Sequence, residues 1–219
     1  MARLSSSLLV SKSTFTAAWL LVSFMFLSGC ASKPSHVPTS NQVEIAQNVW
    51  VDMPKPADLG YSLTASQLIS VQYKNTQNQL PIQLQVSPQK LVLAGFSSWG
   101  SRLLSLTYQD GKIDIDVMAG LGNALPKPEQ VLFNLMITLW PLEVWQQPLS
   151  QVHWQLTEHI NSDPKTNIQT KQRTLIDDQG KIMATIDYSS VDPLKGDISF
   201  INQQLGFTIK IKTLQYNQD

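Results

Sequence analysis

The sequence predicts a mainly β domain: an incomplete antiparallel β-barrel with a helix laid over its opening. Three observations carry this. Apolar and polar residues alternate with a period of two through most of the chain, which is the pattern of strands with one wet and one dry face. The alternating segments are separated by short turn-like runs, as in an antiparallel meander. A single segment breaks the period, and it is apolar almost all round.

The N-terminal residues stand apart from this pattern. Arg3 and Lys12 are the only charges before Cys30, and Phe15–Leu27 (FTAAWLLVSFMFL) is an apolar run. That run is too short to span a bilayer and about right for the core of a signal peptide. It leads into Leu27-Ser28-Gly29-Cys30, which resembles the bacterial lipobox. The resemblance implies cleavage before Cys30 and acylation of its thiol and new N-terminus. Cys30 is the sole cysteine, so it has no internal disulfide partner. The expected organisation is a lipoprotein signal peptide over residues 1–29, an acylated Cys30 with a Ser- and Pro-rich tether to residue 42, and one domain over residues 43–219. Two or three acyl chains anchor firmly where one does not. Ala31 and Ser32 follow the cysteine. By resemblance to enterobacterial lipoproteins, the lack of an aspartate there points to the outer membrane, facing the periplasm.

Removing residues 1–29 takes away two of the 16 basic residues and none of the 16 acidic ones, leaving a net charge of about −2. A weakly acidic domain with scattered Lys and Arg argues against nucleic acid as a partner.

Within the domain, Ile82, Leu84 and Val86 alternate with glutamines. Leu104, Leu106 and Tyr108 share a face, and Ile113, Ile115 and Val117 alternate with Asp114 and Asp116. The same holds for Ile182, Ala184, Ile186 and Tyr188, and for Phe207, Ile209 and Ile211. Gly111 and Gly180 close two of the turns, at the left-handed position of a hairpin. The segment Glu129–Trp140 predicts a helix, entered at Pro128 and stopped by Pro141. Its polar residues Gln130, Asn134 and Thr138 fall four apart on one narrow stripe. A helix this apolar is either buried on several sides or covers an apolar cavity, and periodicity alone does not separate the two. A second short helical piece is expected at Leu142–Gln147.

Catalytic constellations are missing. His153 is expected on a strand beside Trp154, His159 near a loop, and His36 in the tether. No pair stands at metal-ligand spacing, Gly-x-Ser-x-Gly does not occur, and there is no phosphate-cradling glycine motif. These absences argue against an enzyme and imply no metal or cofactor.

The segment FSSWGSRLLSLTYQDGKIDIDV (Phe96–Val117) resembles the strand–loop–strand of the LolB family of outer-membrane lipoprotein receptors. The runs WPLEVWQQPLSQVHWQL and RTLIDDQGKIMATIDY, and the closing strands, are similar to later parts of that family. The chain is also similar to an uncharacterised family of small bacterial outer-membrane lipoproteins, through Gly100, Arg102 and Leu103, through Trp140-Pro141 and through the Arg173 strand. Members often lie beside gene clusters resembling fatty-acid synthesis, such as those for aryl polyene pigments. The resemblance implies an eleven-stranded, incompletely closed barrel with helices in its mouth and a cavity that holds acyl chains. It sets Trp99 where the receptors carry an exposed apolar loop residue, and Trp99 is expected at an exposed tip in contact with membrane. A tryptophan ring prefers the headgroup level, so the role of that loop in membrane insertion is weakened.

The cavity would be lined by Leu104, Leu106, Ile115, Leu132, Met136, Trp140, Trp145, Ile186, Phe207 and Ile209. Ordinary core is the competing role for each. The leading function is an outer-membrane-anchored protein that accepts an acylated ligand or lipoprotein, from a periplasmic carrier or another donor, and helps place it in the membrane. The alternatives are a non-catalytic assembly factor that binds another envelope protein, and an acyl hydrolase.

Overall fold

The computed structural model describes residues 41–119 and 127–219. The expected signal peptide, Cys30 and the expected tether up to residue 40 lie outside the described residues. The fold is mainly β. Twelve strands and two helices are described, and ten of the strands form one antiparallel sheet.

The first two strands, β1 (Gln42–Ala46) and β2 (Val49–Asp52), make a separate hairpin. A short 3₁₀ turn, Pro56–Leu59, follows. The large sheet then takes β3 (Leu63–Tyr73), β4 (Thr76–Val86), β5 (Lys90–Phe96), β6 (Arg102–Gln109) and β7 (Lys112–Val117) as consecutive neighbours. Helices α1 (Pro128–Leu139) and α2 (Glu143–Ser150) come next. The chain returns through β8 (Gln155–Ser162), β9 (Gln169–Ile176), β10 (Ile182–Tyr188), β11 (Asp197–Asn202) and β12 (Phe207–Gln218). Strand β12 pairs with β3 and joins the two meanders, giving the order β7-β6-β5-β4-β3-β12-β11-β10-β9-β8. The edges β7 and β8 do not pair, so the sheet is open. The family resemblance implied eleven strands; the sheet has ten, because β1 and β2 pair with each other and not with it.

Period-two alternation sets the inner face. On β3 it carries Leu63, Ala65, Gln67, Ile69 and Val71; across the register it continues as Val86, Leu84, Ile82, Leu80 and Asn78 on β4. The core is built on this face with the helices against it, and Trp140 and Trp145 are fully buried there. The ring of Phe133 meets that of Trp145 edge-on at 5.4 Å, a favoured aromatic geometry.

Helix α1 ends where Trp140 turns extended (φ −69°, ψ 150°) ahead of Pro141, as the residue before a proline must. Helix α2 runs Glu143–Ser150, past the Leu142–Gln147 expected from sequence, and includes Pro148. His153 is not on a strand. It takes φ 59° in the turn after α2, and β8 starts two residues later, at Gln155.

A candidate acyl-chain cavity

The inner face does not close everywhere. Strand β4 outruns β5: their pairing ends at Ile82 opposite Gly95, while β4 continues from Pro81 back to Thr76, paired with β3. Pro81 cannot donate to a ladder and sits where β4 has one neighbour. Gly95 marks the point where the sheet parts. A Cβ there would stand 2.9 Å from Leu80 Cδ2 and 3.2 Å from Leu104 Cγ, so the missing side chain lets these two leucines approach the backbone.

Between this part of the sheet and α1 lies a cavity of about 650 Å³. That is within the usual range for small-molecule sites. Its sheet wall is apolar away from the β3–β4 hairpin end: Ile69 and Val71 of β3, Leu80 and Ile82 of β4, and Phe207 and Ile209 of β12. Phe200 and Phe207 stack at 6.1 Å at one side. Helix α1 supplies the roof through Gln130, Val131, Asn134 and Leu135, a face that recurs every third or fourth residue. Two members of the sequence's polar stripe, Gln130 and Asn134, thus face the hollow.

Of the ten positions expected to line a cavity, Leu104, Phe207 and Ile209 do so. Six others are closed core. Leu132 and Met136 lie four apart on the opposite face of α1, Trp140 follows its last turn, all three are turned into the packed interior, and Trp145 meets Phe133 there. Leu106 and Ile186 lie on the inner face just outside the lining, each 1% exposed or less. Ile115 is on the edge strand β7 and is 39% exposed, because no further strand covers it. The sequence reading missed Val71, Leu80, Val131 and Leu135. The signal for the helix pair was the face shared with Gln130 and Asn134.

Helix α1 is held over the cavity from its C-terminal end. Arg173, on the inner face of β9 and 3% exposed, donates from Nη1 to the carbonyls of Ile137 (2.8 Å) and Trp140 (2.9 Å). Its Nε donates to Glu158 Oε2 at 2.7 Å. Tyr188 Oη donates to the Thr138 carbonyl at 2.9 Å. Trp140 Nε1 donates to the Lys55 carbonyl at 3.0 Å. A buried cation thus meets the negative end of the helix dipole and satisfies carbonyls that have no partner within the helix. Lys171 sits beside this group, 3.7 Å from Glu158 and 4.5 Å from the Tyr188 ring centre. Burial, with the neighbouring Arg173 charge, pushes its ammonium below the ordinary lysine value against the pull of Glu158. Burial likewise pushes the Tyr188 phenol well above 10.0.

The exposed lining residues of the cavity, Tyr73, Thr76, Asn78 and Gln79, lie at the β3–β4 hairpin end of the sheet, and β6 contributes Leu103 and Leu104. The β5–β6 hairpin is built by Ser97, whose carbonyl accepts from Gly100 N at 3.0 Å and whose Oγ accepts from Ser101 N at 3.0 Å. Gly100 takes φ +82°, open only to residues that tolerate the left-handed region. Trp99 is at the tip, 86% exposed. Tyr73 and Leu205 are exposed at neighbouring strand ends, and Met118, 48% exposed, donates its N–H to the Leu103 carbonyl. Among the described residues, no helix is long and apolar enough to cross a membrane, and no group of three His, Cys, Asp or Glu residues could hold a metal.

Residues 64–215 match the family described as "Protein of unknown function (DUF3261)", and the chain belongs to that family. No curated protein matches the chain. Among solved structures, it is similar to a domain described as an outer membrane lipoprotein-sorting protein from Vibrio parahaemolyticus, at 7% identity and TM-score 0.37, over 72% of this chain and 85% of that one. It is also similar to a LolA superfamily protein from Nitrosomonas europaea, at 9% identity and TM-score 0.39, over 71% and 85%. A structure described as the complex of Pseudomonas aeruginosa MucA and MucB is similar at 13% identity and TM-score 0.39, over 74% of this chain and 53% of that one.

Proposed function

We propose that this member of the family is a binding protein that takes an acyl chain into the cavity between α1 and the sheet. Residues 1–29 act as a lipoprotein signal, Cys30 is the acylated anchor in the outer membrane, and the domain faces the periplasm. There it accepts an acylated ligand or lipoprotein from a periplasmic donor and helps place it in the membrane. The observation that carries the reading is the cavity itself: about 650 Å³, with a mostly apolar wall whose exposed lining residues lie at the β3–β4 hairpin end. Transfer of acyl surface from water into such a site contributes about 0.8 kcal/mol per methylene. The exposed Trp99 ring at the tip of the β5–β6 hairpin supports contact of that hairpin with the membrane, since indole settles at the headgroup level.

The test is binding of a fluorescent acyl ester to the mature chain, compared with Val71→Trp. Val71 is half-buried and lines the cavity, so an indole there occupies ligand space. The expected result is at least a tenfold loss of affinity, with the fold confirmed by near-UV circular dichroism. Unchanged binding by a folded variant would overturn the reading.

A further inference from the structure

We propose, on the basis of the acyl-binding reading above, that the cavity selects acyl chains whose head group carries no charge, glycerides and simple esters, over free fatty acids of the same length. The polar groups that line it are Tyr73, Thr76, Asn78 and Gln79 at the β3–β4 end and Gln130 and Asn134 on α1. Every one is a neutral hydroxyl or amide. Among the described residues, no Lys, Arg, His, Asp or Glu lines the cavity.

Charges adjacent in the chain to the lining residues have partners of their own. The Lys74 ammonium stands over the Tyr73 ring, 5.1 Å from its centre. Arg102 is bound to Asp116 at 2.9 Å, and Lys127 to Glu44 at 3.5 Å.

A carboxylate entering the cavity gives up water and meets no opposite charge on the lining, which disfavours its ionised form. A glycerol or ester head loses less, because amides and hydroxyls both donate and accept. The neutral lining therefore acts against the wrong ligand as well as for the right one.

The experiment uses the full mature chain from residue 30 with Cys30→Ala, which keeps the whole domain. The neutral fluorophore N-phenyl-1-naphthylamine is bound first. It is then displaced by monomyristin or by myristate, both below their aggregation concentrations, at a pH where the fatty acid is ionised. Monomyristin should displace the probe at a concentration about tenfold lower than myristate. A second variant, Asn78→Lys, places a cation at an exposed lining position. It should shift the preference toward myristate, lowering the ratio of the myristate to the monomyristin displacement concentration about tenfold. Equal displacement by the two lipids, or no shift toward myristate in Asn78→Lys, overturns this inference alone. Displacement by neither overturns the acyl-binding reading and this inference with it.

Discussion

The two ends of α1 are held in opposite ways. At the C-terminal end, four hydrogen bonds from Arg173, Tyr188 and Trp140 run between 2.8 and 3.0 Å, and the donors come from buried side chains. At the N-terminal end the N-cap residue, Lys127, makes no side-chain cap. Its ammonium reaches Glu44 at 3.5 Å from an exposed position, and Gln130 Nε2 reaches the Glu44 carbonyl at 3.5 Å. The cavity-facing residues of α1, Gln130, Val131, Asn134 and Leu135, precede the tightly held end, while Leu132 and Met136 on its other face are packed core.

Removing the grip should have the largest effect. Arg173→Ala leaves the carbonyls of Ile137 and Trp140 without their partner and Glu158 without its closest cation. The expected loss is about 3–5 kcal/mol in urea melts. A loss under about 1 kcal/mol would mean that the C-terminal end is not fixed by this residue.

Truncations on the two faces of the helix sharpen the contrast. Met136→Ala opens a hole in closed core and should cost about 2–5 kcal/mol. Val131→Ala, on the half-buried cavity face, should cost under about 1 kcal/mol and change acyl-ester affinity instead. Equal stability losses would erase the distinction between the faces.

Alkali should loosen the grip by titration. The Tyr188 phenol is held well above its ordinary value by burial. Tyr108, which donates to the Met53 carbonyl at 3.1 Å, is pushed up to about 12 by burial, with Asp58 and Asp52 adding to it. Both native pKa values are raised, so their stabilisation is complete below pH 10.0 and is lost as pH rises through the native values. Phenolate absorbance should show both tyrosines silent until the domain unfolds. Their early titration in folded protein would contradict the packing around them.

The smallest stability change is expected at the hairpin tip. Trp99→Ala should stay within about 0.5 kcal/mol of wild type yet reduce binding to lipid vesicles. A small stability change with unchanged vesicle binding would remove the membrane role and leave the exposure.

The sheet was legible wherever an apolar face ran unbroken. Ile82 to Val86, Ile182 to Tyr188 and Phe207 to Ile211 alternate in sequence and pair as antiparallel strands. Strand β3 was harder to see, because Gln67 takes an inward position and is buried there with its amide on Thr213. The grip on α1 was hidden for a similar reason. Lys171 and Arg173 share the phase of Leu175 on β9, and Glu158 that of Leu156 on β8. Charges in phase with a buried face are the sign of an internal network, whereas a charge on a strand ordinarily marks the wet side. The all-round apolarity of α1 left packed core and cavity roof as alternatives for the same residues. The helix does both, and the polar pair Gln130 and Asn134 marks which face is which.

The most direct measurement is photo-crosslinking with an acyl ester that carries a diazirine near the end of its chain, followed by peptide mapping. The account predicts adducts on the cavity wall, at Ile69, Val71, Leu80 and Ile209, and on Val131 and Leu135 of α1, with Met136 and Trp145 unlabelled. Adducts confined to the Trp99 hairpin or the outer face of the sheet, or none that excess unlabelled ester can suppress, would contradict it.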